Sequence, residues 1–302
     1  MKLELENASP SALIGLAEIR LALESATAPF DTAEVTQVYK VTARVAVVQI
    51  CTKTGDVFVA KQVTGQHAAQ LVRNAKALSD LVDTRLAPDG PFRSAKVVEN
   101  FPDLGLIILE HVPGNRLNEL LANASENDAT FYFQKAGEWL SAFSANTRKD
   151  GPFDAKGRAA QIGEYSDRND EHQQIYLKRI FQHAEQVQGT NVTRASLHGD
   201  LNANNLLWDG QILYGIDQPF QQWTALVSDA ARFLFHTTIS RLSSSRYPFA
   251  YGYARTFLEA AEIAPEQWTT ALPIFLARER IGRPWALRDL SDHPLTKMGL
   301  LL

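Results

Sequence analysis

Three side chains that could carry out chemistry lie close together in one stretch of the sequence. Asp200 and Asn205 are five residues apart, and a second carboxylate, Asp217, follows them. Phosphoryl transfer uses these residue types, because one acid orients the attacking hydroxyl while a second acid and an amide oxygen hold magnesium. The offset between Asp200 and Asn205 also equals that between the Asp and Asn of the kinase catalytic loop H-R-D-x-x-x-x-N. The stretch therefore indicates phosphate chemistry.

A short β-hairpin is predicted to position these side chains. Residues 206–208 and 212–214 are apolar and strand-like, and Asp209-Gly210 between them is a turn signal. The hairpin would place one carboxylate on the loop before it and the other just after it. Taken singly, Asp200 or Asn205 is explained as well by an ordinary capping side chain of a turn. The three residues together, at this spacing, favour a role in phosphoryl transfer over capping of a turn.

The same stretch resembles the motif of the aminoglycoside phosphotransferase and choline kinase family, small-molecule kinases with a protein-kinase-like fold. The matching residues are His198-Gly199-Asp200-Leu201, then Asn205, then Ile216-Asp217. The resemblance implies that Asp200 is the catalytic base and that Asn205 and Asp217 are the ligands of Mg²⁺. It also implies structural roles for His198, which would bond backbone near Asp217, and for Asp229, which would brace the catalytic loop.

The first third of the chain predicts the small lobe of such a kinase. Segments rich in β-branched residues cover 35–41, 44–52 and 57–63, and two further strands are expected at 96–99 and 104–110. Residues 9–25 predict a helix packed on this lobe. Its amphipathic face is predicted to consist of Leu13, Leu16, Ala17, Arg20, Leu21 and Glu24.

Lys61 lies in the third strand, within Val-Ala-Lys, and is similar to the lysine of the kinase signature V-A-I-K. The period of two places it on the face opposite Phe58 and Ala60. The resemblance implies that its ammonium contacts the α- and β-phosphates of ATP, although a solvated lysine on an edge strand is the alternative. In the family, a glutamate of the next helix, predicted at 65–82, pairs with this lysine. Here the alignment places Asn74 at that position.

Two further segments are predicted to contact nucleotide. The resemblance implies a hinge at 111–115, where backbone groups from Glu110 to Val112 would meet the adenine edge. The turn Thr42-Ala43-Arg44 would cover the phosphates, but it contains no glycine. Arg44 could reach a phosphate, and a solvated turn arginine is the alternative.

The rest of the chain predicts a helical lobe. Helices are expected at 116–123, 128–146, about 171–188, 231–242, 247–263 and 266–282, whereas 147–170 is rich in turn-forming residues and predicts a long loop. The predicted fold class is α+β, a two-lobed protein-kinase-like fold. Its parts are an N-terminal lobe with an antiparallel sheet at 1–110, a hinge at 111–115 and a helical C-terminal lobe at 116–302.

Composition excludes several other classes of protein. The chain has 302 residues, 45% of them hydrophobic and 21% charged, and a net charge of −4, so no global field favours nucleic acid or an anionic membrane. Its single cysteine, Cys51, excludes an internal disulfide and a multi-cysteine zinc site. No apolar run approaches the length of a membrane span, and the first residues do not resemble a signal peptide. We therefore expect a cytoplasmic protein.

These observations predict an enzyme that uses ATP and Mg²⁺ to phosphorylate a hydroxyl of a small molecule such as an amino sugar, an aminoglycoside or a choline-like compound. The alternative is a nucleotide-binding pseudokinase or regulatory module with little or no turnover, suggested by Asn74 and the glycine-free turn. A protein kinase is disfavoured, because no A-P-E segment follows Asp217 and Gln218 stands where D-F-G has Phe.

The acceptor is not identified by the sequence. Residues 150–190 mix acids and bases without a clear sign. Near the C-terminus the arginines Arg278, Arg280, Arg283 and Arg288 could hold an anionic acceptor, although a solvated helix face is the preferred interpretation.

Overall fold

The computed structural model divides the chain into two compact units. The first consists of Met1–Asp89 and Arg93–Pro113, and the second of Gly90–Phe92 and Gly114–Leu302. The residues that the structure describes are 10–42, 44–66, 68–69, 72–73, 75, 79, 85–87, 89–167, 169–217, 222–239, 242, 245–281, 293–297 and 299–302. Most of the helix predicted at 65–82, Asn74 included, lies outside the described residues.

The first unit contains a five-stranded antiparallel sheet in the order β1-β2-β3-β6-β5. Its β-branched segments pair as neighbouring hairpins, which confirms the strands predicted from their period of two. The strands of the whole chain are β1 Glu34–Val41, β2 Val45–Cys51, β3 Val57–Val63, β4 Phe92–Ser94, β5 Val97–Phe101, β6 Leu106–Glu110, β7 Asn115–Arg116, β8 Lys149–Pro152, β9 Asn191–Leu197, β10 Leu206–Trp208, β11 Leu213–Gly215 and β12 Gln222–Ala225.

A helix, α1 (Pro10–Glu24), covers one face of this sheet, as predicted. The predicted apolar face is wrong in part, because Leu21 is 62% exposed. Leu16 of the predicted face is buried, and so are Ile19, Ala22 and Leu23, which the prediction left out. Leu16, Ile19 and Leu23 follow the spacing of three and four that forms one stripe on a helix. They pack on the buried side chains of β2, β3 and β6, including Val48, Ala60 and Ile108.

The second unit is mainly helical and contains a three-stranded antiparallel sheet in the order β12-β9-β8. Within the part of the chain that the structure describes, no helix has both the length and the apolar character needed to cross a bilayer. The helices of this unit are α2 Leu117–Asn123, α3 Glu126–Ser144, α4 Ala155–Glu164, α5 Glu171–Val187, α6 Val227–Leu234, α7 Ala250–Ala260, α8 Pro265–Thr269, α9 Leu272–Arg280 and α10 Pro294–Lys297, and a π-helical turn Phe235–Ile239 follows α6.

The long loop predicted at 147–170 is wrong. Lys149–Pro152 forms β8, an edge strand that exists because it pairs with β9, and residues 155–164 form α4. Asp154 caps this helix, since its side chain accepts a hydrogen bond from the N–H of Gly157. The turn-forming residues therefore mark a helix cap and an edge strand instead of one irregular segment.

Two glycines of the helical unit allow a test of its packing. Gly137, in α3, faces α7, and a Cβ atom built on it would lie 2.4 Å from the carbonyl oxygen of Phe257. Gly252, in α7, has nothing within 4 Å of the same construction. We predict that Gly137→Ala lowers the free energy of unfolding by about 1–3 kcal/mol through overpacking.

Gly252→Ala is the matched control, because alanine forms helix better than glycine and meets no neighbour there. We expect it to raise stability by about 0.5–1 kcal/mol. Thermal unfolding of both variants measures the difference, and equal melting temperatures would contradict the close approach of α3 and α7.

Candidate active site

The loop after β9 holds Asp200 and Asn205 in contact. The side-chain amide of Asn205 donates to the backbone carbonyl of Asp200 at 2.9 Å and to its Oδ2 atom at 3.2 Å. Asn202 also donates to that carbonyl at 2.9 Å. The Asp200 side chain is 39% exposed, so a substrate hydroxyl in solution has access to it. The five-residue spacing thus reflects direct contact between the two side chains.

His198 connects this loop to the segment that contains Asp217. Its Nδ1 atom accepts from the N–H of Asp200 at 3.2 Å, so Nε2 carries the proton and donates to the carbonyl of Ile216 at 2.9 Å. Burial lowers the pKa of His198 to about 4, although the bond to Ile216 and the charge of Asp200 act in the opposite direction. The ring is therefore neutral at pH 7 and fixed in one tautomer. Trp139 packs edge-on against it at 5.8 Å.

Asp229, in the first turn of α6, fixes the backbone at the start of the same loop. Its carboxylate accepts from the N–H of His198 at 2.9 Å and from the N–H of Gly199 at 3.1 Å. Gly199 has a φ of 85°, a conformation that glycine adopts without strain. Burial raises the pKa of Asp229 to about 7, while the two N–H donors and the charge of Arg232 oppose that rise. A single buried carboxylate therefore fixes the backbone at the start of this loop.

The predicted hairpin forms, and the residue directly before Asp217 is hydrogen-bonded to the loop that contains Asn205. Leu206 pairs with Gly215, and the N–H of Ile216 donates to the backbone carbonyl of Asn205 at 2.9 Å. Gly215 has no room for a side chain, because a Cβ atom there would lie 2.2 Å from the Trp139 ring. Asp217 itself has a φ of 58°, a left-handed conformation that is uncommon outside glycine and concentrated at functional sites.

Arg232 contacts Asp200 directly, and the motif did not indicate it. Its Nη1 atom donates to Oδ1 of Asp200 at 2.8 Å and to the carbonyl of Gly199 at 3.1 Å. Its Nε and Nη2 atoms donate to the buried Glu279 of α9 at 3.3 and 3.1 Å. Burial acts to lower the pKa of Arg232, but the charges of Glu279 and Asp200 outweigh it and raise the pKa. The only sequence signal was an arginine one turn after Asp229 on the predicted helix.

The residues around Asp217 suit a hard divalent cation. The side-chain nitrogen of Asn205 donates to Asp200, so the side-chain oxygen of Asn205 is the atom that could bind a metal. A carboxylate and an amide oxygen are ligands that Mg²⁺ accepts, with substrate phosphates and waters completing the shell. No cluster of three or more His, Cys, Asp or Glu side chains suited to a metal occurs in the described part of the chain.

The other predicted site residues belong to the first unit. Lys61 is half-buried on β3 opposite Ile107 and faces away from the side that α1 covers. Arg44 is exposed in the turn after β1, where Thr42 accepts from its N–H. Val112 is buried.

The prediction that backbone groups of Glu110 contact adenine is wrong for the N–H group, because this N–H already donates to the carbonyl of Lys96 at 2.9 Å. That group lies inside the sheet and is not free for an adenine edge.

Comparison with protein families identifies one match. The model of the phosphotransferase enzyme family (APH) matches residues 42–263, which is more than two thirds of the chain. A search of the curated proteins found no match to this sequence.

Solved structures with a similar fold come from small-molecule kinases. The GDP complex of a wild-type aminoglycoside 2'-phosphotransferase-IIIa has a TM-score of 0.62 at 14% identity and covers 96% of both chains. Amicoumacin kinase hAmiN in complex with AMP-PNP, Ca²⁺ and Ami has a TM-score of 0.56 at 14% identity, covering 93% of this chain and 86% of that one. A choline/ethanolamine kinase family protein from Mesorhizobium loti has a TM-score of 0.60 at 12% identity, covering 88% of this chain and 82% of that one. At these identities the likeness concerns the fold and confirms the predicted fold class.

The neutral state of His198 generates a prediction on pH. Because its folded pKa is lowered from 6.5 to about 4, its contribution to stability is fully present above pH 6.5 and is lost as the pH falls towards 4. Glutamine cannot take up this proton. We predict that the unmodified protein is more stable than His198→Gln at pH 8 and that this advantage in the free energy of unfolding falls by about 2 kcal/mol at pH 5. The difference between the two melting temperatures should therefore narrow by a few degrees.

Comparing the two proteins at each pH cancels the opposite contribution of Asp229, which both contain. The exposed His172 of α5 provides the control for replacing a histidine by glutamine, and His172→Gln is measured at the same pH values. A gap for His198→Gln that is constant or widens in acid would refute the neutral histidine.

Proposed function

Since the chain belongs to the phosphotransferase enzyme family and is a small-molecule phosphotransferase, we propose that it transfers the γ-phosphate of ATP to a hydroxyl of a small molecule with the help of Mg²⁺. The observation that supports this most directly is the contact network of the catalytic loop. The side-chain amide of Asn205 donates to Asp200, and its backbone carbonyl accepts from the N–H of Ile216. The loop that holds Asp200 and Asn205 is therefore bonded to the residue directly before Asp217.

Asp200 acts as the base in this proposal. The acceptor hydroxyl donates a hydrogen bond to the Asp200 carboxylate, and its oxygen forms a bond to the γ-phosphorus of ATP. The bond from that phosphorus to the bridging oxygen breaks, ADP leaves, and the hydroxyl proton passes to Asp200 and then to solvent.

Asn205 and Asp217 would hold the metal, and Mg²⁺ supplies charge neutralisation for the phosphates when bound. Lys61 would contact the α- and β-phosphates, and Val112 would adjoin the adenine through its backbone. The similar structures contain GDP in one case and AMP-PNP in another, so the preference for ATP over GTP belongs to the proposal.

Arg232 is the positioning residue for the base. Its guanidinium binds one carboxylate oxygen of Asp200 while Asn205 binds the other. With both oxygens held, the carboxylate has a defined orientation towards an incoming hydroxyl. Glu279 in turn fixes the guanidinium from the opposite side.

Substitution of the two aspartates separates binding from chemistry. We predict that Asp200→Asn keeps the stabilisation of the protein by ATP and Mg²⁺ but lowers kcat by about 10²–10⁴. Asp217→Asn should abolish the Mg²⁺-dependent part of that stabilisation. Thermal shift with ATP and Mg²⁺, followed by ADP release on a panel of amino sugars, choline, homoserine and aminoglycosides, measures both.

The exposed Asp31 serves as a control, and Asp31→Asn should match the unmodified protein in both assays. A normal rate in Asp217→Asn would sink the metal assignment. Stabilisation by nucleotide without turnover on any acceptor would instead favour the nucleotide-binding module.

Removal of the Arg232 contact tests its positioning role. We predict that Arg232→Lys lowers kcat by on the order of tenfold to a hundredfold with little change in KM for ATP, because an ammonium cannot bridge Asp200 and Glu279 as a planar fork does. An unchanged kcat with only a lowered melting temperature would mean that Arg232 is purely structural.

A further inference from the structure

The second unit contains a group of three arginines outside the catalytic loop, which we call the arginine cluster: Arg158 of α4, Arg194 of β9 and Arg278 of α9. They line two cavities of about 310 and 150 Å³ that adjoin, because Arg158 and Gln161 line both. Arg278 lines the larger cavity and Arg194 the smaller one. Three different elements thus direct guanidinium groups towards one region.

These three arginines have no anionic partner among the residues that the structure describes. No carboxylate in the described ranges lies within salt-bridge distance of any of them. Burial lowers the pKa of Arg158, and the charges of Arg278 and Arg194 lower it further, against the opposite effect of Asp154. Like charges brought together in a partly buried place disfavour each other unless an anion joins them.

The guanidinium of Arg158 is held in place by contacts that leave donors available. It lies 5.0 Å from the Phe275 ring centroid and donates to Gln161 at 2.9 Å and to Thr224 at 3.3 Å. An arginine has five N–H donors, and a rigid guanidinium fork suits the planar oxygens of a carboxylate or phosphate. Arg194 is likewise held, because it donates to the carbonyl of Pro152 at 2.7 Å.

The charge around the cavities favours an anion even when the nearby acids are included. Asp154 and Glu164 line them, but Asp154 already accepts from the N–H of Gly157 and from the amide of Gln188. Lys149 adds a further positive charge, 5.9 Å from the ring of Trp223. Trp223 lines the smaller cavity and is 50% exposed, so it offers an aromatic wall beside the cations.

The arginine cluster is connected to Asp200 through two elements of the same unit. Arg194 lies six residues before Asp200 on the strand that leads into the catalytic loop, so their Cα atoms are at most about 20 Å apart. Arg278 is followed on α9 by Glu279, which binds the arginine that contacts Asp200. A molecule long enough to span this distance could place one end at the arginine cluster and a hydroxyl at Asp200.

We propose that the arginine cluster binds a carboxylate or phosphate group of the phosphate acceptor, which is therefore an anionic hydroxyl compound with an apolar or planar part against Trp223. This proposal rests on the proposed function. It also corrects the interpretation of the C-terminal arginines as one solvated helix face. Arg278 faces a cavity, whereas Arg280 is buried, donates to the hydroxyl of Tyr176 at 3.0 Å and stacks on its ring. Arg283 and Arg288 lie outside the described residues.

Anion binding is measured without catalysis by calorimetry. The protein is first saturated with AMP-PNP and Mg²⁺, so that the nucleotide site is filled, and is then titrated with inorganic phosphate and, separately, with acetate. The anion that binds more tightly shows whether the arginine cluster recognises a phosphate or a carboxylate group. We expect Arg278→Gln and Arg194→Gln each to weaken that binding at least tenfold, while Arg278→Lys retains part of it. The control is Arg255→Gln, which removes an exposed arginine of α7 that pairs with Glu259 and should bind as the unmodified protein does.

The link to the acceptor is tested by kinetics on pairs of hydroxyl compounds that differ only in a carboxylate or phosphate. We expect the anionic member to have the higher kcat/KM, and Arg278→Gln to raise its KM at least tenfold while kcat and the KM for ATP change less than twofold. Phosphate or acetate binding that is unaffected by Arg278→Gln and Arg194→Gln, or an acceptor KM that is unaffected, would overturn the proposal alone. Anion binding at these arginines with no transfer to any acceptor would show that the proposed function fails, and the acceptor assignment with it.

Discussion

Two neighbouring backbone N–H groups, those of His198 and Gly199, donate to one buried carboxylate, and the rest of the site follows from that interaction. Asp229 comes from α6, so the start of the loop after β9 is anchored to a helix of the core. An unpaired buried N–H is costly, and so is a buried carboxylate without donors. Each group therefore requires the other. Because the carboxylate fixes the position of the His198 backbone, it also fixes where the imidazole and the next residue, Asp200, are placed.

The hydrogen bonds continue outward from that anchor in a fixed order. His198 accepts from the N–H of Asp200 and donates to Ile216, and Ile216 donates to Asn205, whose amide returns to Asp200. Only the bond from Ile216 to Asn205 is wholly between backbone groups, so the circuit depends both on the conformation of the loop and on the rotamers of His198 and Asn205. Closed networks of this kind in a low-dielectric interior orient their members strongly. Asp217, whose backbone is left-handed, directly follows Ile216 of this circuit in the chain.

The sequence predicted from their spacing that Asp200, Asn205 and Asp217 act together, and through the family resemblance that His198 bonds backbone near Asp217. It did not predict Arg232 or Glu279, since Arg232 lies 32 residues from Asp200 and Glu279 a further 47, and no periodicity connects them. The strands of the first unit were also predictable, because β2 and β3 are rich in β-branched residues and have a side-chain period of two. The buried face of α1 was not, because apolar side chains surround that helix and only its packing on the sheet selects Ile19 over Leu21. Similarly, β8 acquires strand structure by pairing with β9, which no local propensity in Lys-Asp-Gly-Pro encodes.

The fold itself does not select the acceptor, since solved structures with this fold include an aminoglycoside phosphotransferase and a choline/ethanolamine kinase family protein. Selection must come from side chains near Asp200 in the helical unit. An aminoglycoside is a polycation, and a site that binds one should present carboxylates. Around the cavities of this unit the guanidinium groups of Arg158, Arg194 and Arg278 and the ammonium of Lys149 outnumber the carboxylates of Asp154 and Glu164. A polycation would be repelled there, whereas a carboxylate or phosphate would relieve the mutual repulsion of the arginines. In our proposal, a carboxylate or phosphate of the acceptor supplies the anion that Arg158 lacks among the described residues.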